Sequence, residues 1–287
     1  MQELEPAVTA AQLLAAPVGA ELVFFVLALA AAGLVAGLMS GLFGVGGGAV
    51  LVPVLYQLYG ALGIPELIAM QLAVGTSLGI IVPTSLRSFQ SHLRHDAVDL
   101  DYLRKVAVFV VSGVLAGSLV ASVISGVQLR AIFAVLALLM ALKMLFDRGN
   151  VQLWEGFPPS PWLQVLTGGL GFFSVLMGIG GGVFNNILMT LCGRELHKAV
   201  ATSSGVGVLI AIPGVLGFMW AGAGHGDLPA GSIGFVNILG VLLVIPASMM
   251  MAPYGARLAH RLSRNGLQKS FALFLLLVSL RFFLSLL

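Results

Sequence analysis

Apolar residues run along this chain in long blocks, at about 21–60, 61–86, 104–124, 128–147, 161–192, 197–220, 232–253 and 270–287. A helix needs about 20 apolar residues to cross a bilayer, so the pattern predicts a bundle of membrane helices. Two blocks are too long for a single crossing. The first is interrupted by Gly44, Gly46, Gly47 and Gly48, and the fifth by Gly178, Gly180, Gly181 and Gly182. Each reads either as one span with a re-entrant piece or as two crossings.

The two glycine clusters open a duplication. SGLFGVGGG (40–48) matches SVLMGIGGG (174–182) at an offset of 134, AVGTS (73–77) matches AVATS (199–203) at 126, and GSLVA…LRAIF (117–133) matches GARLA…LQKSF (255–271) at 138. Three matches in one order define two homologous halves. The chain divides into an N-terminal segment 1–20, a first membrane repeat 21–147, a linker 148–160 and a second membrane repeat 161–287. FPPSP (157–161) marks the junction.

Composition supports the membrane reading. Hydrophobic residues make up 59 % of the 287 and charged residues 9 %, with a mean hydropathy of +1.06. A soluble domain devotes about a quarter of its residues to charge, so a soluble enzyme is excluded. The net charge of +3 rests on few residues and points to no nucleic acid. Glu3, Glu5 and Glu21 give the start no basic region of the kind a signal peptide carries.

Charge placement bears on topology. With eight crossings, the 14 basic residues divide evenly between the two faces. If each glycine-broken block crosses twice, Arg87, Arg94, Arg104, Lys105, Lys143, Arg148, Arg194, Lys198, Arg257, Arg261, Arg264 and Lys269 all share one face. That is 12 of 14, the asymmetry expected of a cytoplasmic side. The expected fold is therefore an all-α polytopic membrane protein of eight to ten crossings. Ten are favoured, with both termini outside and two inverted repeats built on glycine-broken helices.

Within that frame the glycine runs are candidate chemistry. Consecutive glycines weaken a helix, and a break at membrane depth is tolerated only where the freed backbone groups face protein, water or a ligand. Two such breaks, one per inverted half, would bring two helix N-termini together, an arrangement suited to an anion. Close helix packing is the competing explanation. It suits Gly33, Gly37 and Gly41, and also Gly113 and Gly117, better. Thr76 and Ser77, with Thr202, Ser203 and Ser204, place hydroxyls in apolar surroundings, where they could donate to an oxyanion or bond to carbonyls of their own helix. Asn185 and Asn186 stand where the first half has Leu51 and Val52. They could tune substrate choice or bridge two helices. Pro53, Pro83, Pro213 and Pro246 are candidate kinks, and Trp154, Trp162 and Trp220 suit the membrane interface.

Other chemistries find little support. No Asp, Glu, His or Lys pair stands inside the apolar blocks, so no catalytic centre or carboxylate proton relay is expected. His92 and His95 read as solvated loop residues, and the single cysteine, Cys192, permits no internal disulfide. No metal or other cofactor is called for. The expected partners are a small anionic substrate and the lipid bilayer, with a homo-oligomer left open.

GLMSGLFGVGGGAVLVPVL (37–55), GFFSVLMGIGGGVFNNILM (171–189) and the AVGTS and AVATSS segments together resemble the sulfite exporter TauE/SafE family, also called the toluene sulfonate uptake permease family. The resemblance covers nearly the whole chain. It implies a bacterial inner-membrane carrier for sulfite, sulfonates, sulfoacetate or a related sulfur anion. Gly44, Gly46, Gly47 and Gly48 match the first family motif, and Gly178, Gly180, Gly181 and Gly182 the second. Thr76–Ser77 and Thr202–Ser203 match the hydroxyl segments beyond them, while the Asn185–Asn186 pair, though inside the second segment, matches no fixed family residue. The leading expectation is secondary transport by alternating access. A passive anion channel and a membrane partner for a sulfur-metabolising enzyme are the alternatives.

Overall fold

The computed structural model of the protein describes residues 18–43, 47–146, 152–226, 228–259 and 264–286. Gly44 and Gly46, the chain before residue 18, and residues 147–151 and 260–263, with Arg148 and Arg261, lie outside them.

Among the described residues the first half forms α1 (Val18–Phe43), α2 (Gly48–Ala61), α3 (Glu66–Leu93), α4 (Leu100–Val123) and α5 (Gly126–Phe146). The second forms α6 (Ser160–Leu176), α7 (Gly182–Leu191), α8 (Leu196–Ala221), α9 (Ile238–Ala259) and α10 (Arg264–Leu284). A short antiparallel ribbon, β1 (Ser232–Ile233) with β2 (Val236–Asn237), precedes α9. Glu66–Leu93, Leu100–Val123, Gly126–Phe146 and His197–Ala221 are the 4 helical segments long and apolar enough to cross a bilayer, and shorter apolar helices accompany them. The architecture is that of an all-α, multi-pass membrane protein.

The boundaries follow from local chemistry. Gly63, in the left-handed region, and Pro65, just before the first turn, delay α3 to Glu66 inside a continuous apolar stretch. Asp99 caps α4 by accepting from the Tyr102 amide at 3.0 Å. The apolar block at 232–253 is not one helix. Gly231 (φ 78°) and Gly234 (φ 54°) turn its first residues into the ribbon, which is fastened to α8 by Phe235 N donating to Phe218 O at 3.0 Å.

Packing crosses between the halves. At the centre α3 runs antiparallel to α8, with Leu78 against Gly214, Ser85 against Gly207 and Phe89 against Gly205. Residues 68–81 of α3 are buried throughout. Helix α1 lies parallel to α9, Gly33 on Val244 and Gly37 on Ser248, while α6 lies parallel to α4, Gly171 on Val110 and Val175 on Gly117. Each half thus lends its first helix to the other. The correspondence reaches single atoms. A Cβ on Gly37 would stand 2.2 Å from the Ser248 carbonyl oxygen, and one on Gly171 would stand 2.2 Å from the Val110 carbonyl oxygen. Gly171 is Gly37 advanced by 134, and Ser248 is Val110 advanced by 138, the offsets of the sequence repeat. The faces turned away carry exposed apolar side chains, such as Val108, Leu115 and Leu119 on α4 and Leu277, Leu280 and Leu284 on α10, as lipid contact requires.

Candidate functional site

Helices α2 and α7 both begin at a glycine break. Their caps, Gly47 (φ 79°) and Gly181 (φ 69°), are left-handed, a conformation that glycine adopts without steric cost, and neither helix has a side-chain cap. The first turn of any helix has N–H groups without intrahelical acceptors and carries the positive end of the helix dipole. The two breaks touch. A Cβ on Gly48 would stand 2.4 Å from Gly178 O and 2.9 Å from Ile179 Cα, so only glycine permits this approach. Gly178 (φ 62°) in turn abuts the backbone of Val74, and Gly180 abuts Ile81 and Gly207. Gly47, Gly48, Gly178, Gly180 and Gly181 are buried and Gly182 is half-buried. Gly48, Gly178, Gly180 and Gly181 therefore converge between α3 and α8.

The hydroxyls divide into distinct roles. Ser77 Oγ donates to Gly178 O at 2.9 Å, pinning one break to the central helix of the other half. Thr76 Oγ1 accepts from Asn237 N at 3.0 Å, and Thr202 Oγ1 accepts from Asp99 N at 2.9 Å. These are the same bond in the two halves. Asp99 and Asn237, separated by the 138 offset, then each cap the following helix with a side-chain oxygen, to Tyr102 N and to Gly240 N. Thr76 also accepts from Tyr59 Oη at 3.2 Å. Ser204 Oγ donates to Ala201 O within its own helix.

Asn185 and Asn186 belong to the early turns of α7, where the Asn185 amide donates to Gly181 O at 2.9 Å. Their side chains form a chain of bonds. Tyr102 Oη donates to Asn185 Oδ1 at 2.7 Å, Asn185 Nδ2 donates to Ser203 Oγ at 2.7 Å, and Ser203 Oγ donates to Asn186 Oδ1 at 2.6 Å. Asn185 is fully buried, and such a network is strong in a low-dielectric interior because its members cannot fall back on water. In α2 the corresponding Leu51 and Val52 are buried apolar core. The segment just before α6 covers this network. Phe157 stacks on Tyr102 with ring centroids 4.6 Å apart, and the Arg194 guanidinium lies 4.8 Å from the Phe157 ring centroid.

Tyr102, Asp99 and Asn237 are the framing residues that sequence reasoning missed. The 138 offset, applied beyond the matched segments, aligns Asp99 with Asn237 and would have found that pair; nothing in the pattern marks Tyr102. Among the described residues, no cluster of His, Cys, Asp and Glu has the makings of a metal site.

A buried helical frame with two glycine-capped half-helices meeting at its centre defines the class, a polytopic membrane protein organised around paired helix breaks. The chain belongs to the sulfite exporter TauE/SafE family, whose profile matches residues 29–282. It is 32 % identical to a probable membrane transporter protein of Haemophilus influenzae, with 91 % of this chain and 98 % of the relative aligned. Probable membrane transporter proteins of Methanocaldococcus jannaschii (26 % identical, 81 % of this chain and 84 % of the relative) and Bacillus subtilis (24 %, 86 % and 93 %) are similar as well. No solved structure matches. The protein is thus a multi-pass membrane transporter of that family.

Proposed function

We propose that the protein is a secondary carrier for a small sulfur oxyanion, sulfite or a short sulfonate, in the bacterial inner membrane. The anion binds where the two helix breaks meet. The observation that carries this reading is the convergence of two helix starts, at Gly47 and Gly181, that have no side-chain cap and meet through Gly48 and Gly178 in the buried centre. Such starts offer backbone N–H donors and a favourable dipole without a fixed positive charge. An anion held this way can also leave.

In this reading Gly47, Gly48, Gly178, Gly180, Gly181 and Gly182 form the cradle, and Gly44 and Gly46, outside the described residues, are assigned to the site by the family motif alone. Asn185, Asn186 and Ser203 supply adjustable polar contacts on one side, and Ser77 fixes the facing break. Thr76 and Thr202 hold helix starts in place, and Ser204 supports its own helix. The antiparallel packing of α3 against α8, which carry the equivalent AVGTS and AVATS segments, supports inverted repeats, 21–147 and 161–287, and hence an odd number of crossings, five, in each half. Ten crossings leave both termini outside and the basic ends of α5 and α9 in the cytoplasm. Alternating access then consists of one repeat rocking against the other about the shared breaks.

The test is uptake of labelled sulfite, sulfate and a short sulfonate into proteoliposomes by wild type, Asn186→Val and Gly181→Ala, each first shown to be folded. Saturable flux of a sulfur anion, accelerated by the same anion on the opposite side and reduced in both variants, supports the carrier. Flux that does not saturate identifies a channel instead. No sulfur-anion flux, or flux untouched by both substitutions, overturns the site.

A further inference from the structure

The asymmetry of basic residues leaves two of the 14 off the crowded face, Arg130 and Arg281. The fold places Arg281 in the wall of a cleft at the opposite end of the bundle, and Arg130 behind that wall, bonded to two of its residues. The cleft has a volume of about 450 Å³ and is walled by Tyr56 and Gln57 of α2 and by Leu277, Leu280, Arg281 and Ser285 at the end of α10.

Arg130 stands behind the wall. It is buried, and its Nη1 donates to Tyr56 Oη while its Nη2 donates to Ser285 O at 3.0 Å. Its ion pair with Glu66, 3.6 Å long, reaches a carboxylate that is largely exposed, and its Nε has no partner. Because Arg130 occupies a lone pair of the Tyr56 oxygen, the Tyr56 proton remains for an acceptor in the cleft. Arg281 is exposed at the mouth, and among the described residues it pairs with no carboxylate. The cleft therefore offers a guanidinium, a phenol polarised by a second guanidinium, and the Gln57 amide. Below them Leu277 and Leu280 are more than half exposed along the lipid-facing side. Donors at the helix end above an apolar stripe match an amphiphile with an anionic head.

We infer that this cleft binds the phosphate headgroup of an anionic phospholipid, with its acyl chain along Leu277 and Leu280. The site is separate from the paired helix breaks and does not depend on what they carry.

Native mass spectrometry of the full chain, loaded with phosphatidylglycerol or phosphatidylcholine, tests it. Wild type should retain phosphatidylglycerol in preference by about fivefold, the worth of one basic side chain at a membrane surface. Arg281→Gln should bring the ratio close to one, Arg281→Lys should keep most of it, and Arg104→Gln, at the other end of the bundle, should leave it unchanged. Leu280→Trp, which fills the cleft without altering charge, should lower retention of both lipids. A ratio that survives Arg281→Gln, or phosphatidylglycerol displaced by inorganic phosphate alone, overturns the assignment.

Discussion

Helices α2 and α7 start alike and diverge within two turns. Both are launched by a left-handed glycine without a side-chain cap, yet α2 continues with Leu51 and Val52 into apolar core, whereas α7 continues with Asn185 and Asn186 into the bonds to Tyr102 and Ser203. The other repeated contacts are held in common: Gly37 on Ser248 and Gly171 on Val110, Thr76 to Asn237 and Thr202 to Asp99. Symmetry is kept where the two halves must fit one another. It is given up beside the breaks, where a ligand would be distinguished from its competitors. Buried amides are costly unless bonded, and Asn185 is bonded through both its oxygen and its nitrogen, so the second half carries a satisfied polar cluster where the first has apolar core.

The comparison can be broken most severely at the shared frame. Valine at position 37 or 171 would drive its Cβ into a carbonyl oxygen at 2.2 Å. Gly37→Val and Gly171→Val should each cost about 3 kcal/mol or more and abolish recovery of monodisperse protein. A large difference between the two would contradict their equivalence. The asymmetric cluster comes next. Asn185→Leu imitates the first half but strands the Tyr102 and Ser203 hydroxyls, at a cost of about 2–3 kcal/mol in thermal unfolding. Adding Tyr102→Phe should recover much of that stability without recovering transport, and recovery of both would make the network purely structural. Thr76→Val and Thr202→Val each remove the acceptor of one backbone N–H, so both should cost about 1–2 kcal/mol. A marked rise in apparent KM in either would show that the hydroxyl meets the anion after all. The smallest effects belong to helical glycines that face open space. Gly60→Ala and Gly169→Ala, where an added Cβ meets nothing within 4 Å, should stabilise by about 0.5–1 kcal/mol and leave flux unchanged.

Much of the frame was legible in the sequence because hydrophobic blocks report membrane helices directly, and the glycine runs gave the helix breaks with their partners. The offsets 134, 126 and 138 anticipate which residues occupy equivalent places. Side-chain pairing was harder to read. That Thr76 and Thr202 receive amides from Asn237 and Asp99 depends on where a distant helix begins, and no local pattern carries that information. Arg130 was invisible for another reason. It sits five residues into an apolar helix, and only the fold brings Tyr56, Glu66 and Ser285 around it. The β1–β2 ribbon was hidden because Ser232–Asn237 carries no charge and runs straight into the apolar helix after it, while the left-handed Gly231 and Gly234 turn the chain before that helix starts.

The exchange of first helices also governs how the protein is made. Gly37 leaves the ribosome 211 residues ahead of Ser248, its packing partner. At a synthesis rate of about 5–20 residues per second, α1 spends about 10–40 seconds in the membrane before α9 exists to receive it. During that interval its small-residue stripe must be sheltered by lipid or by the insertion machinery. Gly171 has the opposite history, since Val110 of α4 is already in place when α6 emerges. Two contacts that are twins in the finished protein are thus formed by unlike routes, one on arrival and the other only near the end of translation.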